Sequence, residues 1–332
     1  MPPTSPDPFS SPERYYQNMS PQLAARLRQM WSARGHDLDK IWSSCMRALP
    51  GVQPLEQSCP LTAPTFDSRA HDRLCCLDQA LIWVLALNSA ARHGASLAGL
   101  NLTSEQLLAL EMMSARLVDT VAALRMLGLS GLSTPALQLS RSVSEDVDMT
   151  LALLLRPRLA RQFIACATPE DANSFWRRHI AGGRAFRMVA EKLYSIGLDH
   201  SEQSDYGRWR REVLTLLGTA VHSSPLGSRG PRPVLAWPAD PVARDCLDFV
   251  THRLHELCAW AHLVDVGLSE DLASIARAKL GDASADDSRM MAFAANSTAI
   301  VLDQMRWTAS LADSEAAALP PAPLIAGSAD LL

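Results

Sequence analysis

Three long segments rich in leucine, alanine and methionine dominate the first half of the chain and restrict its fold more than any other feature. They span about 68–93, 103–128 and 134–155, with glycine or proline at their ends. Their apolar residues recur at helical spacing, and no run shows the two-residue alternation of a strand. We therefore expect an all-α fold, with about three-fifths or more of its residues in helices.

The remaining periodic segments predict shorter helices. They lie at about 20–31, 37–49, 157–166, 169–180, 184–196, 204–222, 241–266, 269–280 and 286–312. Because the connections are short, neighbouring helices should be antiparallel. The predicted architecture is an antiparallel helical bundle with an N-terminal helical extension, centred on the three long helices and the helix that ends at His222.

Proline- and glycine-rich stretches divide the chain into four predicted parts. Residues 1–12 are rich in proline and serine and should be disordered. Residues 13–66 form the N-terminal extension and a loop, residues 67–315 form the main bundle domain, and residues 316–332 form a loose tail.

Composition argues against some classes of protein and indicates the cellular compartment. Of 332 residues 48% are hydrophobic, and the net charge of −4 does not indicate a general nucleic-acid or membrane binder. The seven cysteines are odd in number and form no C-x-x-C pair, which indicates free thiols in a reducing compartment. The N-terminus lacks an apolar signal region, and the run "LIWVLALNSAA" is too short to span a bilayer. We expect a cytoplasmic protein.

Polar residues interrupt the third long segment, which otherwise has the composition of a core helix. Arg141, Glu145 and Asp148 fall on one face of this helix. On one interpretation, Arg141 and Glu145 form an ion pair on a solvated surface. On the other, the face lines a cleft, in which Glu145 holds the Arg141 guanidinium toward an anion. Periodicity does not separate the two.

A glycine and a histidine mark the end of the segment "YGRWRREVLTLLGTAVH". Arg211, Thr215, Gly218 and His222 share one helical face. Gly218 removes a side chain one turn before His222, which lets a backbone or a ligand approach. His222 is a candidate acid or base near neutral pH. Alternatively, it hydrogen-bonds the last carbonyl groups of its helix.

These two segments resemble an uncharacterised bacterial all-helical family that is catalogued as a domain of unknown function. That family carries Arg-Ser-x-x-Glu on one helix, matched here by Arg141, Ser142 and Glu145, and a later helix that ends in Ser-x-x-His or Ser-x-x-x-His. Thr219 stands where the family has serine, three residues before His222. The resemblance covers about residues 100–225.

The family is in turn similar in outline to the HEPN proteins. These are helical bundles that include metal-independent ribonucleases, ligand-binding proteins and toxin–antitoxin partners. Their hallmark, Arg-x4–6-His on one helix, is absent here, because the nearest arginine upstream of His222 is Arg211. Any catalytic arginine must come from another helix, and Arg141 is the candidate.

Two functions of different classes follow. In the first, the protein is a non-catalytic module that binds a partner protein or an anionic ligand, with Arg141 and Glu145 as a structural clamp. We favour it because most polar constellations of this kind are structural. In the second, which the resemblance implies, it is a HEPN-like endoribonuclease of the toxin or phage-defence type. His222 would activate the ribose 2′-hydroxyl, Arg141 would stabilise the phosphate, and Glu145 would orient one of them.

The sequence also predicts the ligands and partners of this site. Asp148, Arg211 and Thr219 are candidate ligand-binding residues. No metal and no cofactor is required by either function. The expected partner is a protein or RNA and not a membrane, and a homo-oligomer stays open.

Positive charge is concentrated in one part of the chain. Residues 156–211 hold eleven Arg/Lys and six Asp/Glu, a local balance of +5 against −9 for the remainder. This segment predicts either a solvated helix surface or a basic rim that suits phosphates. Its densest part comprises Arg177, Arg178, His179, Arg184 and Arg187.

One helix carries a stripe of potential metal ligands. The stripe comprises Asp248, His252, His255, Cys258 and His262 at helical spacing. Neither H-E-x-x-H nor a paired C-x-x-C accompanies it. We therefore predict a polar outer surface for this face and assign no metal site.

Overall fold

The computed structural model describes residues 7–55, 68–221, 240–279 and 283–318, of which 81% are helical and none lies in a strand. This confirms the all-α prediction. The helices are α1 Pro12–Tyr15, α2 Pro21–Ser32, α3 Leu38–Ala48, α4 Ser68–Gly94, α5 Ser104–Leu129, α6 Ser133–Leu155, α7 Pro157–Ile164, α8 Pro169–His179, α9 Arg184–Ser195, α10 Asp205–Val221, α11 Pro241–Val264, α12 Leu268–Ala278 and α13 Ala285–Ala318.

The three long helices α4, α5 and α6 have the predicted ends because local signals fix them. Thr103 caps α5 through its side-chain oxygen, which accepts from the Gln106 amide, and the Gln106 side chain accepts from the Thr103 amide. Gly131, with φ of 71°, provides the left-handed backbone needed between α5 and α6. Pro157 begins α7 directly after α6.

Side-chain contacts show the directions of the central helices. Asp78 of α4 binds Arg125 near the end of α5, whereas Asn88 of α4 donates to the Glu111 carbonyl nearer its start. Helices α4 and α5 are therefore antiparallel, as predicted. Helix α6 returns antiparallel to α5, because Gln106 donates to the Leu154 carbonyl and the two helices are joined by a short turn.

The fourth central helix is α11, and not the helix that approaches His222. Helix α11 packs against α4, α5 and α6, and its residues 253–258 are all buried. It runs parallel to α6, because Asp240 contacts Ser133 at one end and Arg253 contacts Asp148 further along. The prediction for α10 was wrong: this helix covers α6 from outside, and its buried residues are Gly207, Leu217 and Ala220.

Helix α4 is long and apolar enough to cross a membrane, but 89% of its most apolar stretch is buried inside the fold. Helices α5, α11 and α13 pack around it. Its apolar character is therefore that of the central core helix of this bundle.

A buried polar cluster attaches the N-terminal helices to the bundle. Arg125 donates to both carboxylate oxygens of Asp78, at 2.8 and 3.0 Å, and these side chains are 1% and 0% exposed. The Tyr15 hydroxyl accepts from Arg125 at 2.9 Å, and the Tyr16 hydroxyl donates to Asp78. Burial, reinforced by the Asp78 charge, raises the pKa of Tyr16 well above its usual range. The tyrosine therefore stays a neutral donor.

The chain termini add to this packing. The ring of Trp31 in α2 stacks on Phe293 of α13, with centroids 4.4 Å apart. Within the segment 1–12, for which we predict disorder, residues 8–10 form a 3-10 turn, and residues 1–6 lie outside the described part. Of the predicted C-terminal tail, residues 316–318 belong to α13, and residues 319–332 lie outside the described part.

Candidate ligand-binding site

Helices α6 and α10 meet in antiparallel orientation, and side chains of α6 bind the backbone of α10. Gln138 donates to the Ala220 carbonyl at 2.8 Å, and Arg141 donates to the Leu214 carbonyl at 3.0 Å. Both donors lie on the face of α6 that carries the predicted polar stripe. This stripe therefore faces a neighbouring helix, and it borders an open space beside that helix.

That space is a groove of about 1000 Å³ between α6, α10 and the turn that joins α8 to α9. Its size falls in the range of ligand-binding sites. Apolar side chains line most of it, namely Leu139, Trp176, Ile180, Phe186, Leu214 and Val221. Polar groups from α6 and α10 are interspersed among them, so the groove is amphipathic.

Arg141 and Glu145 form a half-exposed ion pair on the wall of the groove. The Arg141 Nε lies 2.9 Å from Glu145 Oε1, and the side chains are 32% and 37% exposed. With its bond to the Leu214 carbonyl, Arg141 uses two of its five N–H groups on described partners. The other three have no hydrogen-bond partner among the described residues, and they could bind a group in the groove. Both earlier interpretations thus hold in part: the pair is solvated, and it lines a cleft.

Asp148 lies deeper, within a network of buried charges. It is 4% exposed and accepts from Arg253 at 2.6 Å and from Arg210. Arg253 also pairs with Glu256 and donates to the Tyr206 hydroxyl at 3.0 Å. Two guanidinium groups therefore face two carboxylates, and the charges balance without solvent.

Arg210 connects this network to the groove. Its guanidinium carbon lies 3.8 Å from the centroid of the Phe186 ring, a cation–π contact. Its Nε is buried and has no hydrogen-bond partner among the described residues. Burial lowers the pKa of Arg210, although the Asp148 charge opposes this, and the group remains charged at neutral pH.

Unpaired positive charge surrounds the turn that forms the third wall. Arg177, Arg178, Arg184 and Arg187 are exposed on both sides of this turn, and none forms an ion pair with a described residue. We call these four arginines the cationic rim. Burial, together with the charges of Arg178 and Arg184, lowers the pKa of His179. None of these four side chains lines the groove itself: Arg177 and Arg178 line a smaller hollow with Glu170, and Arg184 donates to the Ala181 carbonyl at 3.1 Å.

Gly218 keeps one side of the groove open. A Cβ at this position would meet no described atom within 4 Å. The other glycines inside helices differ: at Gly128 a Cβ would lie 3.4 Å from Leu247, and at Gly207 it would clash with the Ser201 carbonyl. Glycine inside a helix costs roughly 1 kcal/mol relative to alanine. Packing within the described fold therefore does not require glycine at Gly218.

The structure brings together most of the predicted site residues. Arg141, Glu145, Asp148 and Thr219 line the groove. Arg211 does not: it is exposed and donates to the Glu202 carbonyl at 2.8 Å. His222 lies outside the described residues, which end here at Val221. Its distance from Arg141 stays a prediction.

The buried half of the site was missed by sequence reasoning. Arg210, Tyr206, Arg253 and Glu256 belong to α10 and α11, and no local pattern links them to Asp148. The one available signal was Asp148 itself. It lies in the apolar run of α6, where a carboxylate needs a buried cation.

The stripe on α11 differs from the prediction of a polar outer surface. His255 and Cys258 are buried, and burial, with His252 nearby, lowers the pKa of His255 to about 4. His262 hydrogen-bonds Ser269 at 2.7 Å. Because α11 packs against α4, α5 and α6, its residues 253–258 are buried, whereas His252 is exposed. No group of three or more His, Cys, Asp or Glu side chains suited to a metal occurs in the described part of the chain.

Comparisons of the chain with family models, curated proteins and solved structures find no match. The function is therefore inferred from the groove itself.

Proposed function

We propose that this protein is a non-catalytic binding module, and that its groove takes a ligand with an apolar body and an anionic group. The observation that carries the proposal is a charge imbalance. Inside the groove, Arg141 pairs with Glu145 and Arg210 with Asp148, so the lining is neutral. The four arginines of the cationic rim adjoin lining residues of the groove in the sequence, and none forms an ion pair with a described residue.

The proposed binding mode assigns a role to each wall. The apolar side chains would cover the body of the ligand, since burial of apolar surface contributes about 25 cal/mol per Å². Arg141, fixed by Glu145 and by the Leu214 carbonyl, would offer its free N–H groups to the anion. Glu145 and the Leu214 carbonyl would thus act as a clamp on Arg141.

The direct test is a fluorescence titration with 8-anilinonaphthalene-1-sulfonate, which joins an aromatic body to a sulfonate. Its neutral analogue N-phenyl-1-naphthylamine serves as the matched control. We expect the sulfonate to bind at least about tenfold more tightly than the neutral compound, because only the former uses the arginines. Added salt should reduce this difference.

Two variants locate the binding. Gly218→Trp should fill the groove and abolish sulfonate binding, whereas Met112→Trp, at a 54% exposed position on α5, should leave it unchanged. Equal binding of both dyes, or full binding by Gly218→Trp, would contradict the proposal. Circular dichroism and thermal unfolding check that each variant is folded.

We propose that the protein acts in the cytoplasm. The six described cysteines, Cys45, Cys75, Cys76, Cys166, Cys246 and Cys258, are free thiols. Disulfides are rare in reducing compartments. Cys59 lies outside the described residues.

A HEPN-like endoribonuclease is the second candidate, and one observation favours it. Gly218, Thr219 and Val221, which directly precede His222, line the same groove as Arg141. In that function His222 would take the proton of a ribose 2′-hydroxyl, and Arg141 would stabilise the phosphate. Incubation of folded protein with RNA, with His222→Ala as the control, tests it. Cleavage that this variant loses would replace the binding module by the enzyme.

A further inference from the structure

We infer that Ser269 and His262 form a nucleophile–base pair that transfers an acyl group from small carboxylic esters. This inference goes beyond the proposed function: it adds a reaction at a second site, and the groove keeps its binding role. The side chains that carry it, His262, Ser269 and Thr298, come from α11, α12 and α13, and none of them lines the groove.

Ser269 is hydrogen-bonded to the imidazole of His262. Its Oγ lies 2.7 Å from His262 Nδ1. Ser269 is exposed, whereas His262 is partly buried. A serine hydroxyl becomes a nucleophile when an adjacent base takes its proton, and proton transfer needs a hydrogen bond of about this length. The Ser269 hydroxyl is thus both accessible to a substrate and in contact with a base.

The other nitrogen of the His262 ring is held by α13. His262 Nε2 hydrogen-bonds the Thr298 hydroxyl. In the tautomer that suits the reaction, Nε2 carries the proton and donates it to Thr298, which leaves Nδ1 as the acceptor for Ser269. Burial lowers the pKa of His262 from 6.5 to about 4, so the ring is neutral at pH 7 and Nδ1 keeps its lone pair. A base oriented by a third group is the arrangement that activated nucleophiles share.

The turn between α11 and α12 fixes the positions of the two side chains. The Asp265 carboxylate accepts from the Gly267 amide at 2.9 Å within this turn. Asp271, which is 2% exposed, ties α12 to the chain before α5 by accepting from the Leu102 amide at 2.7 Å. Ser269 therefore lies on an anchored helix, which suits a reaction, since reacting groups must be held in fixed positions.

The first turn of α12 supplies hydrogen-bond donors beside the nucleophile. This helix has no side-chain cap, and the amide groups of Ser269 and Glu270 have no hydrogen-bond partner in the described part of the chain. Amides of this kind stabilise the negative oxygen that forms when a nucleophile attacks an ester carbonyl. Val266, which is 87% exposed in the preceding turn, offers apolar surface for a short acyl chain. The site thus suits a small, neutral ester.

The reaction has two steps, which together consume an ester and water and form an acid and an alcohol. In the first, Ser269 Oγ attacks the carbonyl carbon, and its proton moves to His262 Nδ1. The bond from this carbon to the alcohol oxygen breaks, and the alcohol leaves with that proton. In the second, water attacks the acyl-serine and releases the acid, while a proton of the water passes through His262 back to Ser269 Oγ.

Incubation of the full-length protein with p-nitrophenyl acetate tests the pair, and peptide mass spectrometry locates the acetyl group. We expect Ser269 to be acetylated at least about 100-fold faster than Ser195, because a general base contributes this factor or more. Ser195 is a matched control within the same molecule, since it is exposed and its hydroxyl donates to the Lys192 carbonyl. This comparison uses the wild type, so it does not depend on the folding of a variant.

Variants then assign the roles, with circular dichroism as the check that each is folded. His262→Gln should slow acetylation of Ser269 at least about 100-fold. Thr298 is a positioning residue, and two variants separate this role from packing. Thr298→Val keeps the shape of the side chain but loses one hydrogen bond, which should slow the reaction about five- to tenfold. Thr298→Ser restores the hydroxyl and should react within about twofold of the wild type.

Two results would overturn the inference. The first is acetylation of Ser269 no faster than that of Ser195, and the second is an undiminished rate in folded His262→Gln. Equal rates in Thr298→Val and Thr298→Ser would remove Thr298 from the site. Gly218→Trp, which fills the groove, should acetylate Ser269 at the wild-type rate; a loss in this variant would show that the reaction belongs to the groove and not to this pair.

Discussion

Asp148→Asn should be among the most destabilising conservative substitutions in this protein. The carboxylate is 4% exposed, and it faces Arg253 at 2.6 Å and Arg210 on its other oxygen. Replacing it by the isosteric amide leaves two buried guanidinium groups with Glu256 as their one remaining carboxylate in the described network. Breaking a buried ion pair typically costs about 3–5 kcal/mol. That is a large part of the 5–15 kcal/mol that stabilises a typical domain.

The matched control is Glu145→Gln, one turn earlier on the same face of α6. This carboxylate is 37% exposed and pairs with Arg141, which is 32% exposed. A solvated i,i+4 pair contributes roughly 0.2–0.5 kcal/mol. Both variants replace a carboxylate by an amide of equal size, so they differ in burial and in the number of cations that they leave unpaired.

Urea unfolding, followed by circular dichroism, measures both free energies of unfolding. We expect Asp148→Asn to lower the value by about 3 kcal/mol or more and Glu145→Gln by less than about 0.5 kcal/mol. If Asp148→Asn unfolds within about 1 kcal/mol of the wild type, the buried charge network does not exist as described.

Three further substitutions test the groove and the buried ionisable groups. Gly218→Ala should raise the free energy of unfolding by about 0.5–1 kcal/mol, because its Cβ enters open space; a destabilised variant would show that something fills this space. Burial raises the pKa of Asp146 from 3.8 to about 6, because it outweighs the opposite effect of the Arg116 charge and hydrogen bonds. The folded state therefore holds this proton more tightly, and stability is lost as pH rises from about 4 to above 6, by roughly 3 kcal/mol. Asp146→Asn should lack this loss, and urea unfolding at pH 4.5 and 7.5 compares the two proteins. Burial lowers the pKa of His255 from 6.5 to about 4, so stability should fall by roughly 3 kcal/mol as pH drops through this interval. In His255→Gln, the free energy of unfolding should fall less as the pH drops. An unchanged pH dependence would place His255 in solvent.

Helix boundaries could be predicted from the sequence because the signals that fix them are local. Thr103 and Gln106 form a capping box over four residues. The ring of Pro157 prevents α6 from continuing, so this helix ends just before it. The polar stripe on α6 was predictable for the same reason, since it depends on helical periodicity alone.

How deeply each polar residue is buried could not be predicted, because burial depends on partners that are distant in the sequence. Asp148 and Glu145 look alike in the sequence, yet Asp148 meets Arg253, which is 105 residues away, and becomes buried. Helix α11 shows the same limit. Arg253, His255 and Glu256 suggest a solvated surface, but this helix packs against three others, so Arg253 and Glu256 pair inside the fold and His255 is buried as a neutral group.

The identity of the fourth central helix also could not be predicted from the sequence. Helix α10 has an apolar side and a candidate histidine at its end, as a central helix would. In the structure its exposed side includes Leu216, at 62% exposure, and α11 takes the central position. Which apolar faces meet is decided by the fit of whole helices, and a single periodic pattern does not contain it.

Hydrogen–deuterium exchange with and without 8-anilinonaphthalene-1-sulfonate tests the central claim most directly, because it reports where the anion binds. If the dye binds in the groove, residues 180–186 and 210–221 should exchange more slowly, and α2 and α3 should not change. In Gly218→Trp, the dye should not protect residues 180–186 and 210–221. Protection that is confined to other helices, or that persists in Gly218→Trp, would contradict the assignment of the groove as the binding site.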